Sequence, residues 1–166
     1  MTSFSYTYTY SVTDVRKVMA QLHAEYRMAA QSTGLCTTAY ADTVMADVTR
    51  FAEEGYLERV QIRLVNANGK NAKVADYEIS EDASSWSADR AGNMMWPRGI
   101  GVRLSITLYY ATKWRERSAT QQAAFRATMN IPWSTTTDDL STSHLTARSD
   151  RTFASNAYGA KKTVHS

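Results

Sequence analysis

Hydrophobic and polar residues alternate strictly at the start of the chain. Phe4, Tyr6, Tyr8, Tyr10 and Val12 fall on one side, and Ser5, Thr7, Thr9 and Ser11 on the other. Period two in aromatic and β-branched residues predicts a strand with one aromatic and one hydroxyl face. The spacing then becomes helical. Val15, Val18, Met19, Leu22, Tyr26 and Ala29 form an apolar stripe, with Thr13 at the N-cap position, Asp14 in the first turn and Gly34 at the stop. This predicts a helix over residues 14–32. After a linker over 35–40, Asp42 stands as the cap of a second helix. Its stripe is Val44, Met45, Val48, Phe51 and Ala52, and its stop is Gly55.

The segment LERVQIRLV places Val60, Ile62 and Leu64 on one face and Arg59, Gln61 and Arg63 on the other. The Asn-Ala-Asn-Gly sequence at 66–69 is a turn signal. Residues 73–80 read as the returning strand, with Ala75, Tyr77 and Ile79 on one face, so the pair makes an antiparallel hairpin. Residues 81–99, with Trp86, Trp96, Pro97 and two glycines, read as an irregular loop. Val102, Leu104, Ile106, Leu108 and Tyr110 then alternate with polar residues in another strand. A third helix is predicted over 118–129, where Ser118 and Gln121 have capping-box spacing. Beyond Asn130 the chain is rich in Ser and Thr, and its apolar residues thin out to a few anchors. The order predicts one α+β domain, with a mostly antiparallel sheet, three main helices on one face and an extended C-terminal arm.

Composition narrows the function without naming it. A chain of 166 residues with 43% hydrophobic and 21% charged residues is one globular domain with a core of its own. The single Cys36 excludes an internal disulfide framework and a cysteine-only zinc cage. No apolar run approaches the ~20 residues of a membrane helix, and residues 1–10 lack the basic start and apolar core of a signal peptide. A cytoplasmic location is expected. The net charge of +3 is small, and the basic residues are scattered rather than set in the stripe usual for nucleic-acid binders.

Chemistry-bearing residues form no strong constellation. His23, His144 and His165 are far apart and have no metal-ligand spacing, so neither a metal nor a cofactor is expected. Glu81, Asp82 and Asp89 share one loop and would be the centre of a small hydrolase. The pattern favours solvated loop charges and caps instead, and no phosphate-cradling glycine motif accompanies them. Tyr6, Tyr8 and Tyr10 can stack bases in a single-stranded nucleic-acid binder, but Ser and Thr neighbour them where Lys and Arg would be expected. The long arm with spaced aromatics points to a third mode. Such an arm can complete a sheet or fold over an added peptide strand.

The order of elements, together with YTYTYSVTDVRKVM, WPRGIGVRLSI and FASNAYGAKK, resembles the bacterial branch of the HORMA domain family. The resemblance covers nearly the whole chain. It implies a core over 1–129 and a C-terminal safety belt over 130–166 that wraps a closure-motif peptide. That peptide would be the chain's own terminus, part of a sister HORMA protein or a foreign protein, and would add to the hairpin edge near 73–80. The implied peptide-binding residues are Val74, Tyr77, Ile79, Phe125, Met129, Trp133, Phe153 and Tyr158. Belt closure would let the domain bind and activate a cGAS-like nucleotidyltransferase in anti-phage defence. An AAA+ ATPase would grip the N-terminus at Thr2, Ser3 and Phe4 and reset the switch. The implied protein is a signalling adaptor, not an enzyme. The alternative read from the residues is single-stranded nucleic-acid binding by the aromatic strand face.

Overall fold

A computed structural model describes residues 5–66, 71–91, 101–133 and 142–148. Strand β1 (Ser5–Ser11) leads through a 3-10 turn (Val12–Asp14) into helix α1 (Val15–Thr33). Helix α2 (Thr38–Glu53) follows, then strands β2 (Leu57–Asn66), β3 (Asn71–Ile79), β4 (Ser85–Ala91) and β5 (Gly101–Tyr110). The short α3 (Thr112–Arg115), α4 (Ala119–Arg126) and strand β6 (Thr142–Arg148) complete the order. All six strands form one antiparallel sheet in the order β1-β4-β3-β2-β5-β6.

The inward face of the sheet is set by period two. Val60, Ile62 and Leu64 of β2 share it with Ala75 and Tyr77 of β3, Trp86 and Ala88 of β4, and Leu104, Ile106 and Leu108 of β5. These residues and the stripes of α1 and α2 form one core. Gly34 ends α1 at φ 71 and Gly55 follows α2 at φ 79, both left-handed conformations that glycine adopts without steric cost.

Several local expectations need correction. Ser11 rather than Thr13 caps the first turn, accepting from the Thr13 amide at 3.1 Å. Helix α2 starts at Thr38, four residues before Asp42, because the Thr37 hydroxyl accepts from the Tyr40 amide at 3.0 Å. The single turn α3, which was not expected, precedes the predicted third helix; that helix is α4, which stops at Arg126 instead of reaching Met129. Its capping box at Ser118 and Gln121 forms as expected, with both bonds at 3.0 Å. The expected loop over 81–99 contains β4, on which Trp86 and Ala88 are the buried apolar residues among the described side chains. That short apolar content hid it. Because β4 pairs with β3, the hairpin edge near 73–80 is already occupied.

The outward face of the sheet is polar and ordered by hydrogen bonds. Arg59 donates to both oxygens of Asp76 at 2.9 and 2.7 Å, and Gln61 donates to Asp76 at 3.1 Å. The Tyr109 hydroxyl donates to Gln61 at 2.9 Å, and the Arg59 guanidinium lies 5.4 Å from the Tyr109 ring. Arg59 therefore titrates above its ordinary range, chiefly through its bonds to Asp76.

Candidate functional site at the root of the C-terminal arm

The arm begins against α2, and two charged residues of α2 hold it there. Asp47 lies on the apolar stripe, three residues after Val44 and four before Phe51, so its carboxylate is buried. One oxygen accepts from the backbone amide and side-chain amide of Asn130, both at 3.0 Å. The other accepts from the Ile131 amide at 2.8 Å and the Trp133 indole N–H at 2.9 Å. A buried carboxylate without a cation is stable only when its lone pairs are filled, and here four N–H donors fill them. One turn further on, Arg50 donates to the Thr128 hydroxyl at 2.9 Å and to the Thr128 carbonyl at 3.4 Å.

Aromatic packing completes the root. The Phe51 ring lies 5.2 Å from Phe125, 5.3 Å from Trp114, 5.4 Å from Tyr110 and 6.3 Å from Trp133, mostly edge to face. Tyr56 joins through Trp114 and Phe125 at 5.0 and 5.1 Å. Edge-to-face rings add about 0.5–1.5 kcal/mol per pair beyond area burial. The segment leaving α4 is thus fixed by both packing and hydrogen bonds. After Trp133 the chain returns as β6, which pairs with β5 from Arg103↔Arg148 to Tyr109↔Thr142.

The residues implied for peptide binding fall into three groups. Phe125, Met129 and Trp133 lie at the arm's root; the first two are half-buried against the core and Trp133 is buried. Tyr77 and Ile79 lie on β3, which β2 separates from β5. Tyr77 is fully buried in the core, whereas Ile79 is half-buried and lines a cleft of about 660 Å³ with Arg59, Glu78, Tyr109 and Lys113. Val74 is also on β3, but its side chain lies outside the described residues, as do Phe153, Tyr158, Thr2, Ser3 and Phe4. Asp47 and Arg50 were missed. A carboxylate on the apolar stripe of α2 was the signal for Asp47.

Other candidate chemistry is unremarkable in its surroundings. Cys36 is buried, and burial pushes its thiol up to about 12. Asp82 is exposed in the turn before β4, where bonds from Ser84 and Ser80 hold its carboxyl below the ordinary value. Asp89 is on β4, opposite Asp76. Among the described residues, no three His, Cys, Asp or Glu residues are grouped to hold a metal ion, and no helix is long and apolar enough to cross a membrane. On β1, Tyr10 pairs opposite Trp86 and packs on the core, while Tyr8 is 42% exposed.

Sheet order, helical layer and fastened arm together suit one family, and comparison with known proteins decides it. The model described as Bacterial HORMA domain family 1 matches residues 1–165. The chain belongs to this family. Two curated relatives of this HORMA domain, from Escherichia coli strain KTE188 and from Escherichia coli, are both called CD-NTase-associated protein 7. Each is 35% identical over 159 residues, which cover 94% of this chain and 93% of the relative. No solved structure matches the chain at a significant level.

Proposed function

We propose that this HORMA domain is a non-enzymatic, peptide-clasping switch adaptor that binds and activates a cGAS-like nucleotidyltransferase. The observation that carries the reading is family membership over nearly the whole chain, joined to relatives whose name associates them with a CD-NTase. The fold supplies a physical basis for switching. The root of the belt is fastened by Asp47 and Arg50, whereas β6 meets β5 as an added edge strand. A peptide strand can pair with β5 only when β6 leaves it, because one edge accepts one ladder of hydrogen bonds. With the β3 edge occupied by β4, the closure motif is assigned in this reading to the β5 edge.

In this reading Phe125 and Met129, each with exposed surface, meet the peptide near the hinge, and Phe153 and Tyr158 close over it from the belt. Ile79 has side-chain surface open to a ligand, Tyr77 supports β3 from the core, and Val74 lies further along the same strand. An AAA+ ATPase engages Thr2, Ser3 and Phe4, directly ahead of β1. Pulling there unzips β1 from β4, an edge strand paired on one side only.

Affinity capture of the full chain from a lysate of its source cells, with and without nuclease, tests this reading. Recovery of a nucleotidyltransferase and an AAA+ ATPase irrespective of nuclease supports it. Recovery of nucleic acid and proteins lost on nuclease treatment overturns it in favour of the exposed tyrosine on β1.

A further inference from the structure

A compact group of cations surrounds the aromatic residues at the arm's root. Arg50 stands 5.1 Å from the Phe125 ring, Lys113 and Arg117 each stand 5.7 Å from the Tyr56 ring, and Arg126 stands 5.9 Å from the Trp114 ring. The three rings are themselves 5.0–5.8 Å apart. All four charges therefore crowd around one aromatic cluster, although they come from α2, α3, α4 and the loop between α3 and α4.

Their partners are neutral. Lys113 donates to the Glu54 backbone carbonyl at 2.8 Å, and Arg50 donates to Thr128. The Arg117 Nε is buried and has no partner. Among the described residues none of the four is in an ion pair, although the same chain pairs Arg16 with Glu53, Arg27 with Asp42 and Arg59 with Asp76. Lys113 and Arg117 share the Tyr56 ring, and a carboxylate placed against them would compensate their charge. Aromatic faces stabilise the cations while leaving their charge uncompensated.

We infer that this cationic crown is a docking surface for an acidic protein segment. Electrostatic complementarity fixes the sign of the partner. The local acids favour a peptide over a nucleic acid. Glu54, whose carbonyl accepts from Lys113, and Glu116, which precedes Arg117 in the chain, are both exposed, and a duplex carrying one charge per ~1.7 Å of axis would meet such acids. A protein segment can place carboxylates against the cations and neutral residues against the acids. None of the four cations lies on β5 or β6.

Fluorescence anisotropy of the full chain with a labelled peptide alternating glutamate and serine tests the inference, with a single-stranded DNA of equal charge as comparison. Lys113→Gln/Arg126→Gln should weaken peptide binding roughly tenfold, the sum of two modest ion pairs. Arg16→Gln/Lys17→Gln removes the same charge on α1 and should leave binding unchanged. Melting temperatures of both variants identify any loss of fold, and a salt titration of the parent chain reads the electrostatic term independently. Absence of peptide binding, equal loss in both double variants, or tighter binding of the DNA that is lost with the crown would overturn it.

Discussion

Replacing Asp47 with alanine removes the acceptor for four N–H groups at once. Two of the donors, the Ile131 amide and the Trp133 indole, belong to buried residues. Each buried donor left unpaired costs about 1–3 kcal/mol. The two donors of Asn130 belong to an exposed residue and can turn to water, so they add little. Removing a desolvated carboxylate offsets part of the loss. The net expectation is a destabilisation of about 2–4 kcal/mol, a large share of the 5–15 kcal/mol typical of a domain. Asparagine is the informative companion. Its one amide oxygen can keep Ile131 and Trp133 while the NH2 faces Asn130, so Asp47→Asn should cost about half as much. Urea unfolding gives both values from the shift in midpoint at constant slope. Amide exchange at Ile131 should accelerate in Asp47→Ala, which loses the acceptor, far more than in Asp47→Asn, which keeps one. Stability of Asp47→Ala within about 0.5 kcal/mol of the parent would refute the reasoning.

Three further outcomes follow from the same geometry. Phe51→Ala should destabilise by about 3–5 kcal/mol in thermal or urea unfolding, because the ring is fully buried among four others. Bonds from His23 at 2.6 Å and Arg27 at 2.5 Å hold the Asp42 carboxyl below its ordinary value of 3.8. That stabilisation is complete above the unfolded-state value and is lost as pH falls through the lower folded value, so melts from pH 6 to 2 should decline less steeply at the acid end for Asp42→Asn. The Cys36 thiol should resist a disulfide reagent at pH 8 in the native chain and react with one equivalent after unfolding, since burial keeps it protonated.

Legibility in the sequence followed the strength of the local pattern. Strands β1, β2 and β5 carry sustained alternation, and α1 carries a full stripe with a glycine stop; all were readable. Strand β4 was not, because among its described side chains only Trp86 and Ala88 are buried apolar residues, and it is held by pairing with β3 and β1 rather than by a local pattern. The early start of α2 was hidden because Asp42 has cap chemistry; its carboxylate is instead engaged by His23 and Arg27 of α1, and Thr37 caps the helix. The family emerged from element order, which is global and survives errors of boundary. The peptide-binding residues emerged from that resemblance and not from any local signal. Tyr77 shows the consequence: an aromatic on a strand face serves a core as well as a groove, and here it is buried.

In the proposed switch, the belt beyond Trp133 exchanges its pairing with β5 for a grip on a peptide. Hydrogen–deuterium exchange of the full chain, alone and saturated with a peptide selected on it from a random display library, tests this most directly. β5 should stay protected while exchange changes in β6 and the belt, and the segment from Ile131 to Trp133 should remain protected in both states. Unchanged exchange in β6 and the belt, with protection appearing only elsewhere on the domain, would contradict it.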